Sequence, residues 1–148
     1  FYTTGDNALD IGRGTNNGKA IQFNRSGTNC GDISVTTSST SYNTSSDYRL
    51  KENVVAISDG ITRLKTLKPS RFNFKIDKDT TVDGFLAHEV TAVPEAIRGE
   101  KDAVDSDGNI DPQSIDQSKL VPLLTAALQE AVAKIETLET KVAALEAG

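Results

Sequence analysis

A heptad repeat near the C-terminus constrains the fold of this chain more than any other feature of its sequence. Its apolar residues follow one another at alternating spacings of three and four: Val121, Leu124, Leu128, Ala131, Ile135, Leu138, Val142 and Leu145. This spacing places them along one side of an α-helix, at the a and d positions of a coiled coil. We therefore predict a long helix over residues 118–148, capped by Asp116 or Ser118, whose apolar seam packs against other helices.

The seam predicts self-association and leaves the number of helices open. The alternative is one amphipathic helix packed on its own domain, but a repeat of this length favours a coiled coil. β-Branched residues at a with leucine at d favour two helices. Extra apolar residues beside the seam would suit three instead: Leu123, Ala127 and Val132. Lys134 and Glu139 occupy successive g and e positions, where parallel helices pair.

The N-terminal residues 1–45 have a very different character. They are rich in Gly, Asn, Ser and Thr, and their apolar residues form short alternating triplets: Leu9-Asp10-Ile11, Ile21-Gln22-Phe23 and Ile33-Ser34-Val35. Alternation with a period of two indicates half-buried strands. One copy, however, cannot bury enough apolar surface to offset the entropy lost on ordering. This zone is either disordered or ordered by pairing with other chains, and the triplets favour an intertwined, β-structured fibrous stem.

The pattern of residues 46–117 predicts a small mixed α/β domain between these two zones. We expect a strand over residues 54–57 and a helix over residues 60–67, capped by Ser58 or Asp59. Residues 71–76 alternate cleanly, which predicts a strand with Phe72, Phe74 and Ile76 facing inward. A turn over residues 77–79 would lead into a second strand that starts at Val82. The chain as a whole is predicted to be α+β.

Composition excludes several classes of function. The net charge of −5 and the lack of a basic stripe argue against nucleic-acid binding. No apolar run has the length of a membrane span, and a single cysteine, Cys30, excludes an internal disulfide framework. The chain starts at Phe1 and contains no Met, so we expect it to begin inside a longer protein.

No cofactor or metal is predicted. The sequence has no P-loop, no dinucleotide-binding glycine motif and no Cys/His cluster with metal spacing. Asp105, Asp107, Asn109 and Asp111 are spaced as in a calcium loop. Ile110 occupies the position where such loops need glycine, so we interpret the segment as a turn.

A serine and a lysine that can carry chemistry lie where the stem-like zone ends, in the run Ser46-Asp47-Tyr48-Arg49-Leu50-Lys51. A serine hydroxyl becomes a good nucleophile when a base takes its proton, and a lysine amine can be that base once burial and a nearby cation make it neutral. Arg49 is the candidate cation. Residues five apart lie on different faces of a helix or a strand. The pair therefore needs a bend, or a lysine from a neighbouring chain.

Three stretches together resemble the intramolecular chaperone auto-processing domain, also called the Peptidase S74 family, found at the C-termini of phage tailspikes and tail fibres. The first is the Ser46-to-Asn53 run, and the second is Gly84-Phe85-Leu86-Ala87-His88-Glu89-Val90 with Pro94. The third is the segment Asp116-x-Ser118-x-Leu120-Val121-Pro122-Leu123-Leu124, which opens the last helix. The resemblance covers residues 46–148 and leaves residues 1–45 as the end of the fibre.

The resemblance implies a homotrimer that helps three chains to fold into a β-structured fibre and then cuts itself off. It implies Ser46 as the nucleophile, Lys51 as its base and Ser45–Ser46 as the bond that is cut. His88 is a candidate helper, but a structural histidine is the simpler interpretation. The implied location is the virion tail, with the chaperone released in the host cytoplasm. The alternatives are a trimerisation cap without catalysis and a host-binding fibre tip. Sparse aromatic residues count against a glycan-binding tip.

Overall fold

The computed structural model describes Leu9 and residues 11–148, and the chain divides into two compact units, Phe1–Val54 and Val55–Gly148. It confirms the α+β class, because the described residues form three antiparallel sheets and a long C-terminal helix. The predicted Leu9-Asp10-Ile11 strand contains Asp10, which lies outside the described residues.

A three-stranded sheet is the main element of the described part of the first unit. Its strands are β1 (Gly18–Arg25), β2 (Thr28–Val35) and β3 (Thr40–Thr44), in the order β1-β2-β3. The two other predicted triplets lie in β1 and β2. Ser26 and Gly27 have φ values of 50° and 81° at the turn between these strands. Positive φ at both central residues is typical of the tight hairpin turn that matches strand twist.

The two faces of this sheet differ in polarity. Ile21, Ile33 and Tyr42 are neighbours across the three strands, and Phe23 and Val35 share their face. The opposite face carries a polar network in which Ser34 and Asn43 donate to the carboxylate of Asp32. Tyr42 remains 79% exposed and Phe23 53% exposed, and none of the described residues of this unit is buried. The sheet therefore presents an apolar face that the described part of its own unit leaves uncovered.

The second unit contains two helices, α1 (Gly60–Leu64) and α2 (Val121–Glu146). Between them lie two small hairpins, β4 (Ser70–Phe74) with β5 (Asp77–Gly84), and β6 (Ile97–Arg98) with β7 (Ser114–Ile115). Short 3-10 turns complete the unit at Ala87–Glu89, Pro94–Ala96 and Gln117–Leu120. Its core is small, and five of its buried apolar residues form one cluster: Val90, Val93, Ala96, Leu120 and Leu123.

Helix α1 packs closely on α2 and is capped by it. A Cβ added at Gly60 would lie 2.5 Å from the backbone nitrogen of Ala127, so only glycine permits this approach. The carboxylate of Glu130 accepts hydrogen bonds from the backbone N–H groups of Gly60 at 2.5 Å and Ile61 at 3.2 Å. The predicted cap was wrong, because the Asp59 side chain makes no capping hydrogen bond. A carboxylate from a distant part of the sequence does so instead.

Three local predictions for the second unit were wrong. Residues 54–57 form no strand, α1 ends at Leu64 rather than at residue 67, and the turn between β4 and β5 lies at Lys75 and Ile76. Ile76 is 98% exposed at this turn and Phe74 also faces solvent, so only Phe72 of the predicted inward residues is half-buried. In the observed register Phe72 lies opposite Val82. With this pairing, the residues of the expected turn, 77–79, become part of β5.

Helix α2 has two distinct apolar faces. One face is buried within the second unit and consists of Leu123, Ala126 and Ala127. The heptad seam lies roughly 120° away around the helix axis, and its large residues, from Val121 to Leu145, are 45–81% exposed. Leu123 and Ala127 therefore pack inside their own unit and do not widen the seam. The Gln117–Leu120 turn precedes α2 and is capped by Asp116, which accepts from the Ser118 N–H at 3.1 Å.

Among the described residues, no helix combines the length and the apolar character that crossing a bilayer requires.

Candidate active site

The chain bends sharply where strand β3 ends. A 3-10 turn over Tyr48–Leu50 follows, and the Asp47 side chain caps it by accepting from the backbone N–H of Arg49 at 2.9 Å. Backbone bonds from Leu50 to Asp47 and from Lys51 to Tyr48 close the turn, both at 3.1 Å. The turn reverses the chain within a few residues. Side chains that a regular helix or strand would hold apart can therefore meet.

Ser46 and Lys51 meet across this bend. The Nζ of Lys51 lies 2.8 Å from the Oγ of Ser46, within hydrogen-bond distance, and both side chains are exposed. One chain therefore supplies both groups. This contact corresponds to one of the two routes that the spacing allowed, a bend between serine and lysine.

The 2.8 Å contact fits two protonation states of a serine–lysine pair. A lysine ammonium donates a hydrogen bond to a serine oxygen, whereas a neutral amine accepts the serine proton. Only the second arrangement activates the hydroxyl. A lysine in water keeps its proton at neutral pH, and removal of water together with a nearby positive charge favours the neutral form. Both arrangements share this distance between Nζ and Oγ, and burial would favour the one in which the amine is neutral.

Arg49 is engaged within the turn. Its guanidinium contacts both carboxylate oxygens of Asp47, from Nε at 3.0 Å and from a terminal nitrogen at 2.5 Å. The pKa of Asp47 is lowered, first by the Arg49 side chain and then by the backbone N–H of Arg49. The sequence suggested Arg49 as a cation for Lys51. The observed partner of its charge is Asp47.

The residue before the candidate nucleophile is tied to the sheet. The backbone N–H of Ser45 donates to the carbonyl oxygen of Cys30 in β2 at 3.2 Å. The N–H of Ser45 is therefore committed to Cys30. Sequence reasoning missed both Cys30 and the capping role of Asp47. An Asp that precedes a turn is a readable signal for the cap, whereas nothing local to Cys30 identifies its partner.

The other candidate residues lie in the second unit. His88 is exposed in the turn Ala87–Glu89, and its predicted role as a helper stays a prediction. Asp105 uses its carboxylate to accept from the backbone N–H groups of Asp107 and Asn109, both at 2.9 Å. These bonds close the predicted turn, which the pairing of Val104 with Ile110 flanks. No cluster of metal-ligating side chains was found in the part of the chain that the structure describes.

Comparison with known proteins identifies the segment that begins at Ser46. Residues 46–98 match the model of the Peptidase S74 family, which is described as the chaperone of endosialidase. This segment is therefore similar to a chaperone domain of that family, and the match confirms the resemblance drawn from the motifs within it. The match starts at the serine of the Ser46–Lys51 pair and includes His88, but it ends before α2. No curated protein matches the chain.

Proposed function

We propose that this chain is the end of a fibrous protein followed by its intramolecular chaperone, which assembles as a homotrimer and then releases itself by cutting the Ser45–Ser46 bond. The observation that carries this proposal is the 2.8 Å contact between Lys51 Nζ and Ser46 Oγ, at the first residue of the segment that matches the chaperone family. A serine at the start of such a domain, with an amine within hydrogen-bond distance of its hydroxyl, is placed to attack the peptide bond that precedes it.

The proposed reaction has two steps. Neutral Lys51 takes the Oγ proton of Ser46 while Oγ attacks the carbonyl carbon of Ser45, and the C–N bond breaks as the leaving nitrogen receives that proton. The chain is then joined by an ester between the Ser45 carbonyl and Ser46 Oγ. Water hydrolyses the ester, leaving a carboxylate on Ser45 and a free amine and hydroxyl on Ser46. Splitting one difficult step into two easier ones in this way is typical of serine nucleophiles.

Assembly is the proposed trigger for this reaction. Ser46 and Lys51 are exposed in one chain. Burial of the pair in a trimer would favour the neutral amine. The exposed seam of α2 and the uncovered apolar face of the β1–β3 sheet are both suited to burial against other copies. Cleavage would then follow assembly, and departure of the chaperone would leave the stem without the template on which it folded.

The proposed client is the stem itself, and the proposed site of action is a phage tail fibre or tailspike. Residues 1–45 would form the last part of the stem, with the β1–β3 sheets of three chains packed against one another. The proposed chemistry needs no cofactor, nucleic acid or membrane, since the serine, the lysine and water supply all the reacting atoms.

The mass of the purified chain tests the proposal directly. We expect residues 1–148 to yield two fragments that meet at Ser45–Ser46, because assembly activates the pair, with Ser46 as the new N-terminus of the larger one. Hydroxylamine attacks esters readily, so it should convert part of the shorter fragment into a Ser45 hydroxamate. Intact mass spectrometry measures both results. A single uncut mass that persists in a purified oligomer would instead indicate a trimerisation cap without catalysis.

The Asp47 cap should set how often the pair is formed. We expect Asp47→Ala to slow cleavage roughly three- to tenfold, since an N-cap acceptor typically stabilises a turn to that extent. Asp47→Asn should slow it less, because an asparagine oxygen can still accept from Arg49 N–H. The fraction cleaved over time, followed by gel electrophoresis, gives the rates. Equal rates for all three chains would show that the capped turn does not hold the pair.

The carboxylate of Asp47 also predicts how the stability of the turn changes at acid pH. The folded pKa of Asp47 lies below its ordinary value because of Arg49. The stability that its carboxylate gives the turn is therefore fully present above the unfolded pKa of about 3.9. It is lost as the pH falls through the lower folded value. The difference in cleavage rate between Asp47→Asn and wild type should therefore become smaller as the pH falls below about 4. The fraction cleaved at each pH, followed by gel electrophoresis, measures this.

A further inference from the structure

The segment that ends in the proposed cleavage site is an edge strand with a defined partner. Strand β3 pairs with β2 from Thr40 opposite Val35 to Thr44 opposite Gly31. The bond from Ser45 N–H to the Cys30 carbonyl, at 3.2 Å, extends this pairing by one more residue. Hydrogen bonding to β2 thus reaches the residue whose carbonyl carbon would be attacked.

The other side of the same peptide bond is held by a different element. Asp47 caps the Tyr48–Leu50 turn, and the turn brings Lys51 to Ser46. The Ser45–Ser46 bond therefore lies between a sheet that fixes its acyl side and a turn that fixes its nucleophile and base. Many binding proteins hold an extended peptide by adding it as a strand to the edge of a sheet. Strand β2 provides such an edge inside this chain.

We infer that β2 is the positioning strand of the cleavage site, and that Gly31 is the residue that lets β3 close onto it. The inference rests on the proposed function, because it assigns a role in cutting Ser45–Ser46. It adds a condition to that function: the bond is presented to Ser46 only after the last strand of the stem has paired. Cleavage would then report closure of the sheet as well as assembly of the chaperone.

The inference depends on Gly31 because backbone atoms of β3 lie close to its Cα. A Cβ at this position would collide with the carbonyl oxygen of Asn43 and lie 3.5 Å from the carbonyl carbon of Asn43 and 3.6 Å from the Cα of Thr44. These are backbone atoms of β3, which cannot rotate away as a side chain can. A methyl group there must push β3 from β2 directly before Ser45. Displacement of a reacting group by about 1 Å can slow a reaction about a hundredfold.

The experiment compares Gly31→Ala with Gly14→Ala in the full chain. A Cβ at Gly14 has nothing within 4 Å, so this variant makes the same chemical change in the same unit without a collision. We expect Gly31→Ala to cleave about a hundredfold more slowly than wild type and Gly14→Ala to cleave at the wild-type rate. In a Ser46→Ala background, which keeps every chain intact, both variants should have the same oligomeric mass in light scattering as Ser46→Ala alone, since the seam lies in the second unit.

Hydrogen exchange separates a positioning role from general loss of structure. In a Ser46→Ala background, which keeps the chain intact, Gly31→Ala should speed amide exchange in residues 40–45 and leave exchange in α2 unchanged. Ser45→Pro provides a second route, because it removes the N–H that bonds to Cys30 while Gly31 stays in place. It should also slow cleavage strongly.

These experiments distinguish failure of this inference from failure of the proposed function. If wild type is cut but Gly31→Ala is cut equally fast, the inference is overturned and the proposed function stands, whether or not exchange in residues 40–45 changes. Cleavage of Ser45→Pro at the wild-type rate would overturn it as well. A wild-type chain that stays uncut would contradict the proposed function itself.

Discussion

Chains that carry Ser46→Ala or Lys51→Ala should remain intact under conditions in which the wild-type chain becomes two fragments. The first change removes the hydroxyl that attacks, and the second removes the amine that lies 2.8 Å from it. Loss of a general base typically slows a reaction about a hundredfold to ten-thousandfold, and loss of the nucleophile should stop the ester route entirely. Mass spectrometry of the purified oligomer over several days measures the residual rate.

Conservative and matched variants sharpen this prediction. Lys51→Arg keeps a positive charge and donors but cannot act as a base, so it should be as inactive as Lys51→Ala. Lys65→Ala and Ser106→Ala remove an exposed lysine and an exposed serine from the second unit, and we expect both to cleave normally. If Ser46→Ala is still cut between residues 45 and 46, the serine is not the nucleophile.

Mixed oligomers test whether one chain supplies both groups. The observed contact joins Ser46 and Lys51 of the same chain. Co-expressed Ser46→Ala and Lys51→Ala chains should therefore stay uncut, because neither contains a complete pair. Cleavage of the Lys51→Ala chain in the mixture would show that the lysine of a neighbour can act on its serine.

The features that could be predicted from sequence are those whose physical cause is local. The heptad of α2 follows from the period of a helix, and the strands β1 and β2 follow from alternation within a few residues. The Ser46–Lys51 pair was found in the same way. Its spacing also predicted that a regular helix or strand could not bring the two together, so that either a bend or a lysine from a neighbouring chain was needed. The structure has such a bend at Tyr48–Leu50.

The features that were missed depend on partners that are distant in sequence. Strand β3 is made of Ser, Thr, Tyr and Asn and has no apolar period, so its pairing with β2 defines it. The cap of α1 comes from Glu130, which lies on α2. In the β4–β5 hairpin the apolar alternation continues through Ile76 and predicted a strand up to that residue. The pairing of Phe72 with Val82 instead places Ile76 in the turn. Local patterns do not carry this information.

The number of helices in the assembly illustrates the same limit. Leu123 and Ala127 lie beside the seam in sequence and suggested a wide apolar face. Both are buried in their own unit, because α2 packs against α1 on that side. The seam alone still favours two helices, and the proposal of three rests on the family resemblance.

Two charged substitutions in the seam of α2 should prevent assembly. Ile135 and Val142 both lie at a positions and are exposed in the single chain, at 54% and 51%. In a coiled coil the a positions face the partner helices and lose water. Burying an unpaired carboxylate there costs on the order of several kcal/mol per ion. We expect the double variant Ile135→Asp with Val142→Asp to be monomeric in light scattering and uncut at Ser45–Ser46.

The control places the same charges on another side of the same helix. Thr137 and Thr140 are exposed and lie off the seam, at c and f positions. Threonine, isoleucine, valine and aspartate have similar helix propensities. The double variant Thr137→Asp with Thr140→Asp should therefore match wild type in helix content, assembly and cleavage. Light scattering of the uncut Ser46→Ala chain should give the mass of three chains. An assembly that tolerates aspartate at Ile135 and Val142 would mean that the seam is not the interface. A seam variant that is monomeric yet fully cleaved would separate cleavage from assembly, since the Ser46–Lys51 pair would then act in a single chain.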